Sequence, residues 1–414
     1  MKGNKLTTYI LIAMLSGVLI GYGVHEHTSP SFISSFSAKI KLLGTIFIRL
    51  IQMIISPLVF STLVVGIAKL GDLKTVGRVG GKALLWFVTA SFVSLLLGMF
   101  LVNYLQPGHY IDLSQADTKG LKDLMSNTQE FSLAKFVDHV IPKSVFDAMA
   151  SNEILQLVIF SVFFGIATAS LGEMAKPLIK ALDIVSHVVL KMVNYVMNFA
   201  PLGVLGTLCS VVAERGLGIF KFYLVYYLFF LLGIFLLWIV LSTAGWIILK
   251  NRMPELFRRI KVPLLIALTT TSSEAVFPKL TEELEKFGCK DKIVAFVLPL
   301  GYSFNLDGSM MYMTFASIAI AQAYHIQLDL GTQFVMLLVL LLTSKGIAGI
   351  PRASLIVVLA TCSMFKIPPE GIALILPIDH FCDMFRTATN VLGNTLATSV
   401  VSKWEGALEN KSSI

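Results

Sequence analysis

Charge is scarce in this chain of 414 residues: Asp, Glu, Lys and Arg make up 14% of it, against 56% hydrophobic residues. An ordinary soluble domain carries about 25% charged residues, so a water-exposed surface all round is excluded. Cysteine is nearly absent too. Cys209, Cys289, Cys362 and Cys382 show neither paired nor metal-type spacing, which excludes a disulfide framework and a zinc site and leaves free thiols in apolar helices. There is no HExxH and no GxSxG, and none of the seven histidines forms a metal-spaced pair within an apolar run. A metalloprotease and a serine hydrolase are therefore excluded. No Ser/Gly linker, low-complexity tract or separate polar domain interrupts the chain. The formal net charge of +8 comes from basic residues in short loops beside apolar runs. That placement reads as membrane topology rather than nucleic-acid binding.

What the chain does have is apolar length. Runs of the roughly 20 residues needed to cross a bilayer are predicted near 6–24, 41–68, 80–104, 153–171, 178–212, 218–249, 291–323 and 369–402. The first follows Lys2 and Lys5 and lacks a small-residue cleavage site, so it reads as a retained helix. The stretch from Gln106 to Asp138 is the long polar loop. Lys/Arg clusters at 2–5, at 69–82 and at 250–261 fall on one side if each run crosses once. The positive-inside rule makes that side the cytoplasm, with both termini there.

Two segments are too short to cross. Val262–Leu268 is apolar, then meets Thr269-Thr270-Thr271-Ser272-Ser273-Glu274. Phe334–Leu342 is apolar, then meets Thr343-Ser344-Lys345-Gly346-Ile347-Ala348-Gly349-Ile350-Pro351-Arg352. Each predicts a re-entrant hairpin of two half-helices around an unwound tip, tolerated at membrane depth where it lines a cavity. One enters from the cytoplasm and one from outside, as in an inverted repeat. Between them, Tyr302-Ser303-Phe304-Asn305-Leu306-Asp307-Gly308-Ser309 sits inside an apolar run. This predicts a broken helix whose exposed oxygens suit small hard cations; the alternative is a kink whose polar residues pair with each other.

The last run carries the strongest signal. Asp379, Asp383, Arg386, Thr387, Asn390 and Asn394, spaced at about 100° per residue, fall within an arc of roughly 100° on a helix. A charged side chain at the membrane centre costs about 2.5–3.5 kcal/mol on insertion scales. These side chains must face an enclosed polar cavity. Asp383 and Arg386 are also spaced i, i+3, so self-neutralisation is the competing reading.

The ordered set Ser272-Ser273-Glu274, Asn305-Leu306-Asp307-Gly308-Ser309, Gly346-Ile347-Ala348-Gly349-Ile350-Pro351 and Asp383…Arg386-Thr387…Asn390…Asn394 resembles the dicarboxylate/amino acid:cation symporters, the glutamate/aspartate transporter family. The resemblance covers nearly the whole chain. It implies an all-α membrane protein of eight transmembrane helices and two hairpins, a homotrimer in the bacterial inner membrane. It implies a scaffold drawn mainly from 1–250, whose third and sixth spans pack with a core transport domain at 253–405. That domain comprises hairpin 1 at 253–287, span 7 at 291–323, hairpin 2 at 329–366 and span 8 at 369–402, and substrate crosses by elevator movement. Carried over residue by residue, Asp383 holds a substrate amino group and Arg386 its side-chain carboxylate. Thr387 and Asn390 help bind the backbone part, with Ser272, Ser273, Ser309, Gly349 and Ile350 completing the site. The second hairpin is the external gate. A planar guanidinium does match a carboxylate bidentately, and a hairpin tip offers backbone N–H groups to an α-carboxylate. The dicarboxylate branch usually lacks the Asp at 383, so acidic amino acids are expected over C4-dicarboxylates; no cofactor is implied.

Sodium-coupled relatives carry a carboxylate where this chain has Asn394, and oxygen ligands where it has Phe87 and Ala90; only Ser91 matches. These departures resemble the proton-coupled bacterial branch. The proton is the expected coupling ion, with sodium-coupled symport as the alternative. The candidates for cation coupling are Glu274, Ser303, Asn305, Asp307, Asp379, Asn394 and Ser91, and a residual sodium site would use Asn305, Asp307 and Asn390. For Glu274 the competing reading is a capping box, Thr271-Ser272-Ser273-Glu274. Arg352 either stands near Asp383 or faces external solvent. An anion channel would need polar rings along a continuous pore, whereas polarity here concentrates at one depth.

Overall fold

The computed structural model describes residues 3–70, 73–111, 137, 140–217, 220–344 and 353–409. Helices dominate, because a backbone in lipid must satisfy its own hydrogen bonds. In chain order they are α1 (Gly3–His27), α2 (Pro30–Leu70), α3 (Leu73–Leu105), α4 (Val145–Ala150), α5 (Ile154–Ser170), α6 (Lys176–Val196), α7 (Ala200–Arg215) and α8 (Phe220–Leu249). There follow α9 (Met253–Thr270), α10 (Phe277–Phe287), α11 (Asp291–Phe304), α12 (Asp307–Ala323), α13 (Leu330–Thr343), α14 (Ala353–Met364) and α15 (Leu376–Trp404). Among the described residues the only β pairing is the single antiparallel bridge between Cys289 and Leu408.

Five described stretches are long and apolar enough to cross a membrane: Thr8–His27, Pro30–Ala68, Lys74–Leu105, Gly172–Arg215 and Tyr223–Thr270. The other three predicted spans differ for physical reasons. Helix α5 is apolar but has only 17 residues. The run 291–323 is broken at Asn305, and α15 carries the charged face. Two predictions need correction. The run 178–212 is not one helix: a 3-10 turn at Met197–Phe199 separates α6 from α7, because Pro201 has no N–H to donate to the Met197 carbonyl and its ring crowds that oxygen. The second span is longer than 41–68, since α2 has 41 residues, about 60 Å, roughly twice a hydrocarbon core.

Packing gathers the helices around two centres, bridged by α11, which lies against both α2 and α15. Helices α1 and α2 both pack on α7, and α2 also packs on α5 and α6. At Gly206 of α7 an added Cβ would stand 2.6 Å from the Ile40 carbonyl oxygen, so only glycine lets these backbones meet. The second group is centred on α15, which contacts α8, α9, α11, α12 and α3, while α3 lies along α12. Helices α9 and α10 pack against each other, as do α13 and α14. Gly346, Gly349, Ile350, Pro351 and Arg352, and most of the polar loop after Ile111, lie outside the described residues.

A C-terminal clasp ties the second group together. Glu405 accepts from Arg78 Nη2 (2.8 Å) and Lys82 Nζ (2.6 Å) at the start of α3, and Trp86 meets Trp404 edge-on at 6.0 Å. Lys290 N donates to Ala407 O, and Glu409 N to Gly288 O, so the tail also grips the base of the first hairpin. The hydrogen bond from Arg78 is the largest influence holding the Glu405 carboxyl below its ordinary value. A depressed carboxyl stabilises the fold above its unfolded value, near 4.3, and that contribution is lost as pH falls through the lowered folded value. Arg78 is half exposed, which limits the effect to about 1 kcal/mol or less. Glu405→Gln is therefore expected to lower the detergent melting temperature slightly at pH 7 and not at all at pH 3; an equal loss at both would show that charge is not what the clasp uses.

Candidate functional site

Helix α15 is buried from Leu376 to Ser402 except on a few sides, so its polar face is enclosed. Arg386, at 2% exposure, lies at the centre. Its Nε and Nη2 donate to Asp383 Oδ1 at 2.9 and 2.7 Å, and its Nη1 donates to Asp379 Oδ1 at 3.3 Å. From α12 the Tyr312 hydroxyl donates to the same Asp379 oxygen at 2.8 Å, and its ring lies under the guanidinium, 4.3 Å from Cζ. Thr387 Oγ1 donates to Asp383 Oδ1 at 3.3 Å. The i, i+3 pairing is thus real: in this conformation Arg386 is shared between two carboxylates. Asp383 is the accessible partner, with its side chain 24% exposed against 4% for Asp379. An anion reaching Arg386 has to displace a carboxylate, and an ammonium group meets Asp383 first.

The run 291–323 breaks where the sequence predicts. Asn305 and Leu306 leave helical backbone, with φ/ψ of −123°/72° and −103°/59°, and α12 restarts at Asp307. The restart exposes N–H groups that need acceptors. Asn390 supplies one from the facing helix: its Oδ1 accepts from Gly308 N at 2.9 Å and Ser309 N at 3.2 Å, and its Nδ2 donates to Ser309 Oγ at 3.1 Å. The Asn390 carboxamide therefore caps α12, and Ser309 is bound to it.

Below this lies a dry knot of oxygens. Asn305 Nδ2 donates to Asp307 Oδ2 at 3.1 Å, both side chains fully buried. An added Cβ at Gly393 would collide with Asp307 Oδ2, and one at Gly301 with Asn394 Oδ1, so two glycines let α15 and α11 close over the knot. Among the described residues, Asn394 Oδ1 and Nδ2, Asn305 Oδ1 and Ser303 Oγ are buried without hydrogen-bond partners. Buried polar atoms left unpaired are costly, and unpaired oxygens beside a carboxylate are chemically suited to a small cation or a protonated water. Ser91 is fully buried on α3, as are Phe87 and, nearly so, Ala90. Among the described residues no group of three or more His, Cys, Asp or Glu is arranged to hold a metal ion.

The first hairpin tip corrects the capping-box reading. Thr271 is in left-handed backbone (φ 50°) and ends α9. The cap is Ser272, whose Oγ accepts from Ala275 N at 3.2 Å. Glu274 is one residue too early to reciprocate, and it opens a short 3-10 turn. No hydrogen bond or ion pair among the described residues joins Ser272, Ser273 or Glu274 to Asp383 or Arg386. Gly349 and Ile350 fall outside the described residues.

Tyr312 is the contact of the charged cluster that sequence reasoning missed. The available signal was a hydroxyl-bearing aromatic at bilayer depth, five residues beyond Asp307. Thr389 was missed as well: it accepts a hydrogen bond from Trp238 Nε1 of α8 at 2.8 Å, which anchors the site helix from behind.

Comparison with known proteins decides the family. A family model described as the sodium:dicarboxylate symporter family matches residues 6–404. The chain belongs to that family. It is 41% identical to a C4-dicarboxylate transport protein of Acinetobacter baylyi, over 99% of this chain and 93% of that protein. It is 38% identical to a proton/glutamate-aspartate symporter of Bacillus subtilis, over 99% and 97%. A C4-dicarboxylate transport protein of the same organism is 36% identical over 99% and 96%. Membership of this symporter family makes the chain a multi-pass membrane transporter of the carboxylate class and not an enzyme.

Proposed function

We propose that this symporter imports acidic amino acids, L-aspartate or L-glutamate, together with protons, by an elevator movement of the α15-centred group against the α1/α2/α7 group. The observation that carries the reading is Asp383 beside Arg386: an accessible carboxylate and a guanidinium on adjacent turns, fitted to the ammonium and distal carboxylate of one small molecule. A C4-dicarboxylate offers nothing for Asp383 to bind and brings a second negative charge toward it. The second hairpin is the external gate and the first the internal one. The clasp from Glu405 to Glu409 joins α3, α15 and the first hairpin so that they travel together. Apolar side chains exposed on α6 and the turn after it, such as Ile184, Val188, Tyr195 and Phe199, supply surface for lipid or for trimer contact.

A C4-dicarboxylate symporter is the second reading, favoured by the names of two of the relatives just given. Counterflow separates the two. Proteoliposomes loaded with unlabelled L-aspartate should accumulate labelled L-aspartate, and external succinate should compete poorly. Accumulation of labelled succinate that L-aspartate fails to inhibit would reverse the assignment.

A further inference from the structure

The cluster around Arg386 poses a problem of charge. Arg386 is held by Asp379 and Asp383 together, so the cluster carries one positive and two negative charges in a largely dry setting. An acidic amino acid adds one net negative charge. Its ammonium is matched by Asp383 and its distal carboxylate by Arg386, and the latter can approach only by loosening Arg386 from a present partner. Asp383 is engaged by the ammonium, by Thr387 and by Arg386 Nε and Nη2, whereas Arg386 gives Asp379 only the longer contact, 3.3 Å, from Nη1, beside the neutral Tyr312 hydroxyl at 2.8 Å. Asp379 is then the carboxylate left facing another carboxylate across a shared guanidinium, and such pairs retain a proton. We propose that Asp379 takes up the coupled proton, and that it does so because the substrate carboxylate takes its place on Arg386.

This rests on the proton-coupled, acidic amino acid reading above. The surroundings suit it. Besides Arg386 and Asp383, the titratable groups around Asp379 are Tyr312 of α12, Tyr226 of α8 and Cys382 of its own helix. Arg215 of α7 spends a guanidinium N–H on the Pro377 carbonyl nearby. The only cation in hydrogen-bonding contact with Asp379 among the described residues is Arg386, so its loss is not made good by another. Tyr312 is placed to hold either form: its hydroxyl donates to the carboxylate now and can donate equally to the carbonyl oxygen of the neutral acid. The step balances simply. A proton from external water joins an Asp379 oxygen as substrate binds; on the inside substrate leaves, Arg386 returns to Asp379, and the proton goes to internal water. One proton per acidic amino acid leaves the charge of the cluster unchanged between its empty and loaded forms, which removes an electrostatic obstacle to moving the cluster through the membrane in both states.

The test uses purified protein and L-aspartate as the probe. In wild type, addition of L-aspartate to a weakly buffered detergent solution should take up close to one proton per site, and affinity should tighten about tenfold per unit fall in pH over the linked range. Asp379→Asn, which keeps an acceptor for Tyr312, should bind with pH-independent affinity, take up no proton and fail to accumulate substrate on a proton gradient. Because that variant could also lose binding, infrared difference spectra supply a second readout. Substrate should raise the band of a protonated carboxyl group in wild type, and Asp379→Glu should shift it. Proton uptake persisting in Asp379→Asn, or a carboxyl band unmoved in Asp379→Glu, overturns the assignment to Asp379 while leaving the symporter reading intact. A wild type whose L-aspartate affinity ignores pH and requires sodium overturns the proton reading itself.

Discussion

Arg386→Ala should abolish L-aspartate and L-glutamate binding while leaving room for a small neutral amino acid, and Asp383→Ala should do the reverse for the amino group. Removing Arg386 leaves Asp379 and Asp383 without the cation that both contact. Truncating one member of a buried charge pair costs about 3–5 kcal/mol, and the substrate carboxylate loses its counter-charge besides. The first cost falls on the stability of the fold and the second on affinity, where losing one partner of a buried charge pair is worth about 2–5 kcal/mol, at least roughly thirtyfold at 1.4 kcal/mol per factor of ten. Asp383→Ala frees Nε and Nη2 of Arg386, so the guanidinium then faces the cavity with two donors unspent. A dicarboxylate such as succinate, which has no ammonium to match, should gain affinity in that variant. Competition binding with L-aspartate, L-serine and succinate on both variants checks the pair of expectations together. Unchanged L-aspartate affinity in Arg386→Ala would remove the basis of the substrate assignment.

Uptake should run on a proton gradient in potassium or choline buffer and collapse with a protonophore, with little or no requirement for sodium. The reason lies at the knot under α12. Asn394 brings an oxygen but no charge, and its carboxamide makes no hydrogen bond among the described residues. Phe87 and Ala90 bring no oxygen to the α3 side. A sodium ion there would be balanced by Asp307 alone, and losing one unit of counter-charge weakens a cation site steeply where the dielectric is low. Proton coupling needs only one carboxyl group whose surroundings change with occupancy, and Asp379 on Arg386 provides that. Moving one elementary charge across 100 mV is worth about 2.3 kcal/mol, so a membrane potential adds usable drive for each proton carried beyond the charge of the substrate. Uptake that requires sodium at fixed pH, and ignores an imposed proton gradient, would instead assign the unpaired oxygens of Asn305, Asn394 and Ser303 to a sodium ion.

The sequence by itself determined the periodic and composition-driven features. Apolar length fixes which stretches are helical, half-length runs with polar tips mark the two hairpins, and the Asn305-Leu306-Asp307-Gly308 interruption marks the break between α11 and α12. The polar arc of α15 was legible because its six residues recur at helical spacing within one element, so no knowledge of neighbours was needed. Only the tertiary structure decided who faces that arc. Tyr312 meets Asp379 across 67 positions, Asn390 caps the N-terminus of α12 across 82, and Glu405 reaches Arg78 across 327. Such contacts depend on how helices are rotated and set against each other, and a tyrosine within an apolar run gives no sign of where its hydroxyl points. The break between α6 and α7 escaped for a related reason: apolar composition continues through it, and only the missing N–H of Pro201 interrupts the helical ladder. Local pattern is written residue by residue along the chain, whereas the place of Tyr312 against the Arg386 guanidinium and Asp379 exists only once two helix faces have been brought together.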